Sequence, residues 1–275
     1  MPIATLDEVL TPAYRQGYAV AGLVMLGWED AQAYVQAAEA TGCPVILQAG
    51  PNCRKHTPLP VLGAMVRSLA EQSSQPVVCH LDHGETLDEI RQAIDCGFSS
   101  VMIDGSRLCL EDNIALSGRA AELAHQAGLG IEGEIGFVGY AEGAPSSATD
   151  PDEAGRLVHE AGLDALAVSV GNVHLQMQPG GGIDFAALDA IAAKTCCPLV
   201  LHGGSGIDHD ARRKLALQTV VCKLNIGTEL RRAFGAGLRN ILAENPDWFD
   251  RIQILSSLRP ALVQASAKLI RELAP

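Results

Sequence analysis

The sequence has no basic block, and its formal net charge is −12. A surface of that sign repels nucleic acid and anionic lipid headgroups, so neither is expected as a partner. No apolar run approaches the roughly 20 residues of a membrane-spanning helix, and no signal-peptide pattern opens the chain. None of the eight cysteines falls in a C-x-x-C pair. Several sit in apolar runs, where reduced cysteine acts as a small hydrophobe. These absences lead to the expectation of a cytoplasmic protein in a reducing compartment. No low-complexity linker divides the chain, and 48% hydrophobic residues are enough for one large core. Only five lysines are present, which leaves few places for Schiff-base chemistry.

What is there is an alternation. Apolar strand candidates fall at 18–25, 44–48, 77–82, 100–104, 130–135, 165–170, 199–202 and 221–226. Helical patterns follow them at 29–40, 60–72, 87–96, 111–127, 152–160, 185–194, 208–217 and 228–244, and a short helix at 5–16 precedes them all. Strand then helix, repeated in even units over about 250 residues, is the arithmetic of an α/β chain folded as a (β/α)8 TIM barrel. We expect a single domain over 1–275. A C-terminal extension, one or two helices within 246–275, is expected to pack on the barrel or on a partner subunit.

In such barrels the chemistry gathers at the C-terminal ends of the strands. Here those ends carry His80-Leu81-Asp82-His83, Asp104-Gly105-Ser106, Glu132-Gly133-Glu134, Gly171-Asn172-Val173-His174, His202 and Asn225-Ile226-Gly227-Thr228. His83, His174 and His202 stand at three strand ends, and three imidazoles with an open position make a catalytic zinc arrangement. Asp82 abuts the first of them, placed either to exchange a proton with a substrate hydroxyl or to hold a ligand histidine. Asp104, Glu132 and Glu134 are candidates for orienting the ligands or for a secondary cation site. His80 reads as an interior hydrogen-bonded residue.

Gly203, Gly204, Ser205 and Gly206 after strand seven, and Gly227 and Thr228 after strand eight, expose backbone N–H groups where this fold commonly binds phosphate. The stretch 137–150 has loop composition and is a candidate lid carrying Glu142 to the substrate. Arg54, Lys55 and His56 form a local concentration of positive charge after strand two. With Arg259 of the extension, they are expected to bind an anion at the far end of the substrate.

Taken together, these motifs resemble the class II, zinc-dependent ketose-bisphosphate aldolases of the fructose- and tagatose-bisphosphate type. The resemblance implies one zinc per subunit on His83, His174 and His202, with a monovalent cation as a further candidate. It implies Asp82 as the proton-transfer acid, Asn225 against the enediolate of dihydroxyacetone phosphate, and Gly203, Ser205, Gly227 and Thr228 around its phosphate. Glu142 is the candidate for returning the last proton. The implied reaction is reversible cleavage of a phosphorylated sugar by a homo-oligomer, dimer or tetramer.

Alternatives are a non-catalytic aldolase-like subunit, a metal-dependent hydrolase, and a Schiff-base aldolase using Lys223. The chain departs from the family in four places. Val20-Ala21-Gly22-Leu23-Val24 stands on strand one where a Pro-Ala-Phe-Asn-like stretch is common, Leu175 follows His174 where Gly is usual, Gly227 replaces the Asp of fructose-type members, and Arg54-Lys55-His56 is unlike the usual strand-two loop. These departures bear on the aldehyde half of the substrate.

Overall fold

The computed structural model describes residues 3–139, 146–174 and 182–275. Eight parallel strands close in chain order into a barrel: β1 (Val20–Val24), β2 (Val45–Ala49), β3 (Val77–Gly84), β4 (Ser100–Ile103), β5 (Ile131–Ile135), β6 (Ala165–Val168), β7 (Leu199–Leu201) and β8 (Val221–Ile226). The ring of helices is α2 (Trp28–Thr41), α4 (Leu59–Gln72), α5 (Leu87–Asp95), α6 (Leu110–Gln126), α7 (Pro151–Ala161), α8 (Phe185–Ala192), α9 (His209–Gln218) and α10 (Thr228–Glu244). Two elements flank the ring, α1 (Leu6–Gln16) before it and α11 (Arg251–Leu273) after it. The protein has the (β/α)8 TIM-barrel fold with a C-terminal helix.

The strands are buried on both faces, which is why they read as unbroken apolar runs. Their outward side chains pack under the helices. Their inward side chains divide by height. At the N-terminal mouth, Ile46, Val78, Met102 and Val200 meet Leu6 and Leu10 of α1, which plugs that end. Helix α1 is set by a Thr5–Glu8 capping box and stopped by Gly17 in the left-handed conformation, φ +71. Full burial of each leucine contributes about 1.5–3 kcal/mol. Toward the other mouth the interior turns polar, with His80, Glu132 and Lys223 all fully buried. The functional end is thereby fixed before any ligand is considered.

The C-terminal extension is one helix. It lies along α2 and α10, burying Leu258, Leu262, Leu269 and Ile270. Arg212 of α9 joins Glu229 of α10 at 2.9 Å and Glu272 of α11 at 3.2 Å, tying the extension to the first turn after β8. The structure adds a short helix that sequence patterning missed, α3 (Pro51–His56). Its proline sits at the first turn, where a missing N–H costs nothing, and six residues are too few to show an amphipathic period.

Candidate active site

Strand β3 breaks regular alternation at its end. Its register against β4 shifts between Leu81 and Gly84, and His83 adopts φ +52, the one positive φ at a non-glycine among the described residues. A strand would send neighbouring side chains to opposite faces. This kink instead lets Asp82 and His83 line the same cleft. Such a backbone costs of order 1–3 kcal/mol and persists where surrounding contacts hold it.

His174 and His202 complete the trio. The three ring centroids lie 4.7–5.5 Å apart, and the trio offers ligand atoms all within 4.8 Å of one another. Each acid of the sequence set sits against a histidine. Asp104 Oδ2 is 2.7 Å from His83 Nδ1, leaving Nε2 with its lone pair. Glu132 Oε1 is 3.0 Å from His202 Nε2, so His202 Nδ1 is left buried without a hydrogen-bond partner. Glu134 Oε2, also buried and unbonded, is 3.6 Å from both His83 Nδ1 and His202 Nδ1. Three imidazoles converge, His83 and His202 are oriented by carboxylates, and His202 Nδ1 is left unbonded; this set fits a divalent metal. His83, Asp104 and Glu134 form a second candidate cation group that shares His83 with the first.

The charge layer beneath is equally specific. Lys223 Nζ is 2.6 Å from Glu132 Oε2 and 3.3 Å from His80 Nε2, and His80 Nδ1 is 2.7 Å from Ser100 Oγ. Burial, with Lys223 alongside, pushes His80 down to about 3, so it is neutral. Burial and the other two histidines push His174 down to about 3. Burial acts the same way on His83, but Asp82, Asp104 and Glu134 outweigh it and raise the metal-free ring to about 10. Burial raises Glu134 to about 7. Asp82 is buried too, yet His83, His202 and Lys223 hold it below the ordinary carboxylate range, so it stays ionised. Lys223 does not line the cleft and is committed to Glu132, which argues against a Schiff-base lysine.

The two glycine loops meet beside the trio. Gly203 has φ +72, and a Cβ there would overlap the Val173 carbonyl. Ser205 Oγ accepts N–H bonds from Gly227 at 3.3 Å and Glu229 at 3.1 Å, pinning the β7 loop to the start of α10. Gly203, Ser205, Gly227 and Thr228 line the cleft, whereas Gly204 and Gly206 are buried behind it. Asn225 lines it as well, with Nδ2 3.4 Å from Asp82 Oδ1 and its own Oδ1 unpaired.

The structure does not bring the positive cluster after strand two together at the cleft. Arg54 does not face the cleft. Its guanidinium donates to the carbonyls of Ala49 (2.8 Å), Asp82 (2.6 Å) and His83 (3.0 Å) and reaches Glu89 at 3.4 Å. It braces the ends of β2 and β3 with both terminal nitrogens engaged. Lys55 lines an outer groove with Glu85 and Glu89. His56 bonds Thr57 and opens on a separate hollow. Arg259 lies between α2 and α11, in a groove with Trp28 and Arg251. Glu142 lies outside the described residues; the bridge between Phe137 and Ser147 closes the base of its segment.

Sequence reasoning missed Arg231, which lines the cleft and donates to Thr228 Oγ1 at 3.1 Å. The available signal was its place one helical turn after Gly227, on the face of α10 that starts at the glycine loop. Gln48 was noted as a strand-end polar residue without a role. Its amide is fully buried with both atoms unpaired, filling the space a side chain on Gly22 would need: a Cβ there would lie 2.6 Å from Gln48 Oε1.

A (β/α)8 barrel with an ionised carboxylate beside three converging imidazoles, under two phosphate-type loops, fits the class of metal-dependent enzymes acting on a phosphorylated substrate. A family model described as fructose-bisphosphate aldolase class-II matches residues 4–274. The chain is 36% identical to a probable fructose-bisphosphate aldolase of Bacillus subtilis, over 99% of this chain and 98% of that one. It is 37% identical to a 6-phospho-5-dehydro-2-deoxy-D-gluconate aldolase of Halalkalibacterium halodurans, over 99% and 96%. It superposes on the crystal structure of the YdjI aldolase of Escherichia coli K12 with a TM-score of 0.84 at 29% identity, covering 98% and 97% of the two chains. The chain belongs to the class II fructose-bisphosphate aldolase family. Its reaction is metal-dependent aldol cleavage of a ketose phosphate. No helix among the described residues is long and apolar enough to cross a membrane.

Proposed function

We propose that the enzyme cleaves a ketose phosphate into dihydroxyacetone phosphate and an aldehyde, with zinc held by His83, His174 and His202, one ion per subunit. The observation that carries this reading is the lining of one cleft, where Asp82 and two ligand histidines sit opposite Asn225 and the paired glycine loops. A divalent metal on the trio supplies Lewis-acid polarisation of the ketone and of the charge left after bond cleavage.

The remaining work belongs to the chain. The backbone N–H groups of Gly203, Ser205, Gly227 and Thr228, at the N-terminus of a 17-residue helix, hold the phosphate of the three-carbon half despite the acidic net charge. Asp82, held below the ordinary carboxylate range, accepts the proton of the hydroxyl across the scissile bond. Asn225 turns its amide toward the oxygens of the three-carbon fragment. Asp104, Glu132 and Glu134 orient the ligand rings. Glu142 remains our candidate for returning the last proton.

Arg231 is the cationic side chain lining the cleft, and we assign it to an anion on the far side of the scissile bond. The names of the relatives support an anionic far end: one denotes a bisphosphate, the other a phosphorylated gluconate. Gly227 is backed by Val24, whose Cβ would lie 3.0 Å from a Cβ at 227, so a larger residue there requires Val24 to give way.

All eight cysteines are free, which supports a cytoplasmic setting. Exposed Phe249 and Ile252 support a homo-oligomer, to be sized by light scattering. The decisive test combines elemental analysis of the purified protein with dihydroxyacetone phosphate release from a panel of ketose phosphates. One zinc per chain and release from at least one substrate is the expected result. Metal-loaded enzyme that releases none, and does not exchange the α-proton of dihydroxyacetone phosphate, overturns the reading.

A further inference from the structure

A second hollow of about 540 Å3 adjoins the catalytic cleft, which measures about 200 Å3. The two share Leu26 and Arg231, which stand at the neck between them. Beyond it Trp28, Val61, Leu62, Met65 and Phe234 make an apolar part of the lining, beside Glu29, Asp30, His56, Thr57 and Arg251. Trp28 is 45% exposed and Val61 54%, although Leu62 beneath them is fully buried. Large side chains left half-open around a hollow of ligand size mark a place where an apolar body is received.

Asp30 is spent locally, accepting the Leu26 N–H at 2.9 Å. Arg251, at the outer wall, forms no ion pair among the described residues, although Glu29 also lines the hollow. In a chain of net charge −12, an arginine that forms no ion pair among the described residues attracts an anion to this lining.

We propose that this hollow is the acceptor subsite for a long aldehyde, so that the preferred ketose phosphate carries, beyond the scissile bond, a chain longer than three carbons ending in an anionic group near Arg251. The inference rests on the aldol reading above and adds the substrate class. The cleft alone takes the three-carbon phosphate half and the aldehyde carbon. A short acceptor ends at the neck beside Arg231 and leaves the hollow unused. A longer chain runs past Leu26, lies against Trp28 and Val61, and places its terminal charge at the outer wall. The shared chemistry is an anionic terminus, and carboxylate and phosphate are separated by the experiment.

The test runs zinc-loaded enzyme in the synthetic direction with dihydroxyacetone phosphate and a graded set of aldehydes. The set is glycolaldehyde, glyceraldehyde 3-phosphate, and straight-chain five- and six-carbon aldehydes ending in methyl, carboxylate or phosphate. We expect kcat/KM for a six-carbon anionic acceptor to exceed that for glyceraldehyde 3-phosphate by about tenfold or more, as added methylenes in an apolar pocket typically give. Trp28→Ala and Arg251→Ala should each remove most of that preference through KM. Trp28→Ala should act on all long acceptors and Arg251→Ala on the anionic ones alone, with α-proton exchange in dihydroxyacetone phosphate as the internal reference.

A flat or falling length series overturns the proposal. So does a variant that slows glycolaldehyde addition as much as long-chain addition. So does a Trp28→Ala protein that changes oligomeric state while its length preference stays wild-type, because the hollow is then an interface between copies. Loss of α-proton exchange in the wild-type enzyme would instead sink the aldol reading itself, so the two failures are distinguishable.

Discussion

Two sides of one rim are built by different rules. Around β3, β5, β7 and β8, most polar atoms are matched and little moves without a cost. Glu132 is shared between His202 and Lys223, Asp104 is bound to His83, and Ser205 holds two backbone N–H groups. Around β1, β2 and α3 the rim is made of Gly22, Val24, Leu26 and Gly50, with Gln48 filling the space that Gly22 leaves. The first side works by electrostatics in a low-dielectric interior, where a misplaced charge costs several kcal/mol. The second works by shape, where exchanging one apolar group for another costs far less. Chemistry common to a family belongs on the first side, and substrate choice can drift on the second.

The sharpest way to break this contrast is at Asp82. Asp82→Asn keeps the side-chain shape and removes proton acceptance. Cleavage should fall by about 10²–10⁴, the usual worth of a general acid–base group, with metal content unchanged by elemental analysis. Near-wild-type cleavage would demote Asp82 to a residue that only supports His83.

Lys223 probes the layer beneath. Lys223→Met leaves Glu132 buried without its cation, which should cost about 3–5 kcal/mol in urea unfolding of the metal-free protein. Metal affinity should weaken about 10–100-fold, because Glu132 no longer holds His202 as before. Adding Glu132→Gln removes the stranded charge and should return most of the stability while metal binding stays weak. Equal recovery of both would mean that the pair serves the fold alone.

The legibility of the sequence divides along the same line. Strand–helix alternation survives because buried parallel strands are continuous apolar runs, and the observed strands fall within a few residues of the expected ones. The trio and its acids stood out because charged residues at the ends of apolar strands need a reason. The other side was harder to read. Arg54, Lys55 and His56 looked like one cluster in the sequence, but consecutive residues of a helix point about 100° apart, and α3 sends the three to different surroundings. Arg231 was easy to overlook because it sits inside an ordinary amphipathic helix, and only its spacing of one turn from Gly227 sets it apart. Gln48 was visible but mute, since only the closed barrel reveals that its amide has no partner.

Arg54 supplies the smallest expected effect and a direct test of the corrected reading. Its fork reaches the carbonyls of Ala49, Asp82 and His83 at once, so it sets the backbone of the two residues that aim at the cleft. Lysine keeps the charge and loses the planar fork. Arg54→Lys should therefore destabilise the protein by about 1–3 kcal/mol, the range for hydrogen bonds to a charged group. It should also lower cleavage and dihydroxyacetone phosphate α-proton exchange by the same factor, because both reactions share the end of β3. A substrate-binding arginine behaves differently: lysine would raise KM for an anionic acceptor and leave exchange untouched. Parallel loss places Arg54 with the fixed side of the rim, and a rise confined to KM would return it to the variable one.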